Sequence, residues 1–250
     1  MSISAPPGAP SIGETLSSSF RDAYSVAKTN LVPAAIFIAA GSIAAYLMVP
    51  SIAVFEASAG AGKAAAQPVM PPAFTISMGL IDVLIFIVSC YAMAAAVRTI
   101  HPEYRMTAGQ FFGIIGYSLL ASLLTLLACV CFIIPGYWVG IKVLMTPYTY
   151  AVTGGTPGAL KTTWNMTTGY YWQTFGMLLA AGFCLGVLID GAVFACVAGA
   201  SELPPSLYVL APLATAVLVW AMHVQALVYV RWVNGLLPRA NMPQAVPVPA

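Results

Sequence analysis

Six stretches of the chain, 31–54, 75–97, 110–133, 137–153, 172–198 and 207–234, run almost free of charge. A helix rises about 1.5 Å per residue and a bilayer core is about 30 Å thick, so about 20 apolar residues cross it. Only 6% of the 250 residues are charged and 60% are hydrophobic, against about 25% charged in an ordinary soluble domain. So few charges cannot clothe a soluble particle of this size. The pattern predicts an all-α integral membrane bundle of six transmembrane helices, with no room for a second folded domain. Residues 1–30 read as a cytoplasmic N-terminal segment, 31–236 as the membrane domain, and 237–250 as a Pro-rich cytoplasmic tail. Residues 56–73 form a small-residue loop with little to bury. The first run starts too late and extends too far for a signal peptide, despite Ala57-Ser58-Ala59 after it, and is read as an uncleaved helix.

Basic residues orient the bundle. With six spans and cytoplasmic termini, Arg21, Lys28, Arg98, Arg105, Lys161, Arg231 and Arg239 lie inside, Lys63 lies outside and Lys142 is embedded. If the short fourth run re-entered instead of crossing, Lys161, Arg231 and Arg239 would join Lys63 outside, and the asymmetry would vanish. The positive-inside rule therefore favours six crossings. Aromatics are then expected in an outer belt of Phe55, Phe74, Tyr137, Trp138 and Tyr208, and an inner belt of Trp164, Tyr171, Trp172, Tyr229 and Trp232.

Two segments have the pattern of interfacial helices. Ile12, Leu16, Phe20, Ala23, Ala27 and Leu31 recur at helical spacing, with Glu14, Arg21, Asp22 and Lys28 on other faces. In TPGALKTTWNMTTGYYW, Thr156 is placed as N-cap, Pro157 as first helical residue, and Leu160, Trp164 and Tyr171 on one face.

Ionisable groups inside spans are the main functional candidates. Lys142 lies roughly 7–8 Å in from the outer end of its run, Asp82 roughly 10 Å and Asp190 roughly 12 Å. Three charges at similar depth are expected to form an intramembrane cluster, Lys142 neutralising Asp82, Asp190 or both, against the simpler alternative that Lys142 snorkels to the headgroups. His223, in the sixth run, is a weak candidate ligand for a haem or pigment, weighed against a plain hydrogen bond to a neighbouring helix. The five cysteines, Cys90, Cys129, Cys131, Cys184 and Cys196, all fall in apolar runs without metal-ligand spacing and read as packing residues. No metal site and no cofactor is predicted. The sequence has no G-x-S-x-G, H-E-x-x-H or P-loop, so no enzyme is expected. A net charge of +2 without a basic run excludes a nucleic-acid partner. Small-residue spacings at Gly109/Gly113, Gly182/Gly186 and Gly41/Ala45 offer close helix approach, within the bundle or in self-association.

One region carries a family pattern. Ile134-Pro135-Gly136 is followed by Lys142, Pro147, Ala159-Leu160-Lys161-Thr162-Thr163-Trp164 and Tyr171-Trp172, with Ile12-Gly13-Glu14-Thr15-Leu16 and Phe20 near the start. This resembles the membrane domain fused to some bacterial glycerophosphodiester phosphodiesterases, and its stand-alone relatives. The phosphodiesterase half, with its metal-binding carboxylates and catalytic histidines, has no counterpart here. The resemblance implies a stand-alone multi-pass protein of the bacterial inner membrane and supplies no catalytic role. The function expected is that of a non-catalytic accessory, scaffold or lipid-interacting subunit, its partners being the bilayer and other membrane subunits. The rivals are a small permease using Asp82, Lys142 and Asp190, and a pigment- or haem-associated subunit built on His223.

Overall fold

A computed structural model of the protein describes residues 11–29, 32–43, 72–131, 133–183, 185, 187 and 204–237, and every regular element among them is helical. The helices are α1 (Ile12–Thr29), α2 (Val32–Ile43), α3 (Pro72–Ile100), α4 (Ala108–Cys131), α5 (Ile133–Val143), α6 (Thr146–Val152), α7 (Ala159–Gly169), α8 (171–183) and α9 (Pro204–Leu236). Among the described residues, three stretches are long and apolar enough to cross a membrane: Asp82–Ile100, Ala108–Val130 and Ala211–Leu236. Of the expected spans, 44–54 and 188–198 lie outside the described residues, as do Lys63, Asp190, Gly186 and the tail beyond Leu237. The chain forms two compact units, one of residues up to Val26, 90–184 and from His223 onward, the other of 27–89 and 185–222.

In the first unit, side-chain caps fix where two helices start, the second of them a capping box. Ser11 Oγ accepts from the Glu14 N–H at 3.2 Å, and at α4 the Gln110 side chain accepts from the Thr107 N–H at 2.7 Å while the Gln110 N–H reaches Thr107 Oγ1 at 3.3 Å. Each satisfies backbone donors that a helix start leaves without partners. The helix expected over the N-terminal segment is present, but its buried stripe is Thr15, Ser19, Ala23 and Val26, flanked by half-buried Ile12, Leu16 and Phe20. Small and hydroxylic residues face inward because α1 meets an arginine. Arg231 on α9 donates to Ser19 Oγ at 3.3 Å and pairs with Asp22.

Helix α4 and the α5–α6 rod form an antiparallel hairpin. Gly136 lies against Cys129, Gly140 against Thr125, Tyr150 against Gly113 and Tyr117, and Gly155 against Gln110. The register holds through the whole return, so the fourth run comes back along the full length of α4. It is not one helix, however. Residues 137–153 divide into the end of α5 and the seven residues of α6, parted at Leu144-Met145. Pro147 causes the break: it has no N–H to donate to the Val143 carbonyl, and its ring crowds that carbonyl. The break is shallow, since Met145 keeps right-handed φ and ψ of −81° and −3°. Ile134-Pro135-Gly136 belongs to the first turn of α5, where a missing N–H leaves no bond unmade.

Helix α6 ends in a Schellman motif. Gly155 N–H donates to the Tyr150 carbonyl at 2.9 Å and Gly154 N–H to that of Ala151 at 3.4 Å, with left-handed φ of 84° and 73° that glycine adopts without strain. The expected cap of the next helix is corrected. Thr156 donates to Thr153 Oγ1 at 2.8 Å, and α7 starts at Ala159 behind Gly158. Nor does α7 bury the face of Leu160 and Trp164; it buries Ala159, Thr163, Met166 and Thr167. The reason is its partner. Helix α7 runs back antiparallel to α6 and α5, and its inward threonines meet the threonine side of α6, Thr163 donating to Thr149 Oγ1 at 2.8 Å.

In the second unit, α2 and α9 approach through a glycine. A methyl on Gly41 would meet Thr215 Cγ2 at 2.5 Å, and Leu84 of α3 is beside it. Ser89 Oγ donates to the Ile85 carbonyl at 2.8 Å and touches Met222 Sδ at 3.8 Å. In the first unit, Gly182 is open, with nothing within 4 Å of an added Cβ, whereas Gly113 is in tight contact with Tyr150.

Candidate functional site

Lys142 stands in the last turn of α5, one turn before Thr146, and is only 3% exposed. Its ammonium donates to Thr168 Oγ1 at 2.8 Å, and lies 4.0 Å from the centroid of the Trp138 ring and 4.5 Å from that of Trp164. The two indoles meet edge to face, 5.5 Å apart at 88°. An ammonium has three N–H donors; here one goes to a hydroxyl and two π faces cover the rest. The cage is assembled by helical spacing. Trp138 and Lys142 are four apart on α5, Trp164 and Thr168 four apart on α7, and each pair therefore shares a face. Thr168 Oγ1 in turn donates to the Trp164 carbonyl at 2.6 Å.

Of the expected charge cluster, the described residues show only the surroundings of Lys142 and the exposure of Asp82. Lys142 has no carboxylate partner among the described residues; its contacts are Thr168, Trp138 and Trp164, all in its own unit. Asp82 is exposed, where an interior position was expected, and Asp190 lies outside the described residues. The expected aromatic belts are corrected. Trp138, assigned to the outer surface, touches Trp164 and stands 6.4 Å from Tyr171, both assigned to the inner one. Rings in contact cannot lie on opposite sides of about 30 Å of hydrocarbon. These residues, with Trp172 and Phe175, make one cluster, because α7 folds back and carries Trp164 up to α5. The other side of α7 is polar, with Lys161, Asn165 and Thr168 exposed.

Along the α5–α6 rod, Lys142, Thr146, Thr149 and Thr153 form one buried polar stripe at helical spacing. The Thr149 and Thr153 hydroxyls donate to the carbonyls one turn back, at 3.0 and 2.8 Å. The Thr146 hydroxyl is also buried and has no hydrogen-bond partner among the described residues.

His223 is 1% exposed, with the Tyr91 ring edge-on at 6.4 Å. His101 lies in the turn after α3, with Nε2 3.2 Å from Asn234 Oδ1 and Nδ1 3.4 Å from Glu103 Oε1. Among the described residues no three metal-ligating side chains gather, and Cys90 and Cys129 are free thiols. The sequence reading found Lys142 but missed its cage; the signal was the paired four-residue spacing of Trp138 with Lys142 and Trp164 with Thr168. Compared with known protein families, with curated proteins and with solved structures, the chain matches none.

Proposed function

We propose that the protein is a non-catalytic, multi-pass membrane component: an accessory, scaffold or lipid-interacting subunit of a bacterial inner membrane. The observation that carries this reading is the set of groups around Lys142. The buried cation is held by two indoles and a hydroxyl, contacts that fix a charge in place. A proton or ion relay needs a titratable partner to hand on to, and none of these groups is one. The family resemblance agrees, since it implies a stand-alone membrane protein without the phosphodiesterase half. Purification in mild detergent, with identification of co-purifying chains and lipids, tests this reading. Fixed-stoichiometry partner chains or bound lipid are expected; saturable solute flux in proteoliposomes would replace it with a permease.

The proposed topology has six crossings and cytoplasmic termini; the contact of Trp138 with Trp164 and Tyr171 is the observation it must accommodate, since α7 returns the chain to the level at which the fourth run starts. It is supported by the seven-to-one distribution of Lys and Arg and by the full-length return of α5–α6 along α4. Single cysteines at Gly62 and Pro157, in a background lacking the native five, should label from opposite sides of sealed vesicles. Pro157 is chosen because it is exposed, whereas Gly158 beside it has a φ of 98° that a cysteine would strain. Labelling of both positions from one side would remove the six-span topology.

A further inference from the structure

We infer that Lys142 and Thr146 form a binding site for the anionic oxygens of a phosphate group, carried by a membrane lipid or free in solution. The inference deepens the lipid-interacting reading and rests on it. Two separate features point to the same guest. A buried ammonium has no anion beside it among the described residues, and one turn away a 1% exposed hydroxyl has nothing to donate to. A buried charge and an unmade hydrogen bond are both unfavourable, and each is relieved by an anionic acceptor. One phosphate oxygen group can satisfy both, since the shallow break at Met145 keeps Lys142 and Thr146 on one side of the rod. The ammonium would keep its bond to Thr168 and turn one N–H from an indole face to the phosphate.

Position favours a lipid as the carrier. Trp138, which lies over the ammonium, is itself exposed, so the charge is one ring from the surface. Half-exposed indoles beside the polar face of α7 mark the depth at which headgroups lie.

The test uses the full chain in detergent, titrated separately with short-chain phosphatidylglycerol, short-chain phosphatidylcholine and inorganic phosphate, with thermal unfolding as readout. Phosphatidylglycerol should raise the melting temperature of the wild type more than phosphatidylcholine does. Thr146→Val, which is isosteric, should weaken that response about tenfold by removing one hydrogen bond to a charged group. Lys142→Met should abolish it, and Lys161→Gln, altering an exposed charge on α7, should leave it unchanged. A Lys142-dependent response to inorganic phosphate as strong as that to lipid assigns the site to the free anion; a weaker one assigns it to the headgroup. The inference is overturned by equal responses in all four proteins, by no response to any probe, or by a loss in Lys161→Gln as large as in Lys142→Met. Fractionation of the same protein with membranes keeps that failure distinct from failure of the membrane reading.

Discussion

Gly136→Ala is expected to destabilise the protein by about 3 kcal/mol, at the upper end of what overpacking costs. A methyl there would stand 2.5 Å from Cys129 Cα and 2.6 Å from its backbone nitrogen. Backbone cannot rotate away, so α4 and α5 must separate. Gly113 gives the contrast. Its added methyl would fall on the phenol end of Tyr150, a side chain that can be shortened. Tyr150→Leu should therefore restore much of the loss in Gly113→Ala, whereas Cys129→Ala should restore little in Gly136→Ala. Gly116 has nothing within 4 Å, and Gly116→Ala should be neutral or slightly stabilising. Thermal unfolding of the three alanine variants gives the ranking. If Gly136→Ala melted like Gly116→Ala, the close approach of α4 and α5 would be wrong.

Features written within a few residues were legible in the sequence. Ser11 with Glu14 and Thr107 with Gln110 carry capping-box spacing, and Gly154-Gly155 supplies the left-handed positions that end α6. Hydropathy alone located α3, α4 and α9. Features depending on where a helix goes next were not legible. Thr163 and Thr167 look solvent-facing on a helix of mixed composition, and only the return of α7 along α6 buries them. The same return brings Trp164 to Trp138 and merges aromatics that a flat six-span drawing separates. Pro147 was visible, but a proline inside an apolar run is compatible with a kinked span as well as a broken one. Counting depth along each run placed Lys142 and Asp82 at one level. Depth says nothing about azimuth, and Asp82 turned out to be exposed.

Azimuth also decides the sign of the second large effect. If Lys142 neutralised a buried carboxylate, Lys142→Met would strand that charge and destabilise by about 3–5 kcal/mol. Among the described residues no carboxylate stands beside Lys142 to be stranded, and Thr168 keeps its bond to the Trp164 carbonyl. What Lys142→Met loses is cation–π attraction of about 2 kcal/mol per desolvated ring and one charged hydrogen bond. What it gains is relief from ammonium desolvation, several kcal/mol, together with thioether contacts to the indoles of about 0.3–1.5 kcal/mol. These terms largely cancel, so Lys142→Met is expected to stay within about 1–2 kcal/mol of the wild type in phosphate-free detergent. Lys142→Ala removes the aliphatic stem as well and leaves the box unfilled, so it should fall below wild type by about 2 kcal/mol or more. Thermal unfolding of the two variants side by side separates the stem from the charge. A steep loss in Lys142→Met would reveal a carboxylate at the ammonium and reinstate the ion pair. A gain would mean that the protein keeps this charge at the expense of its own stability, the pattern expected of a group retained for what it binds.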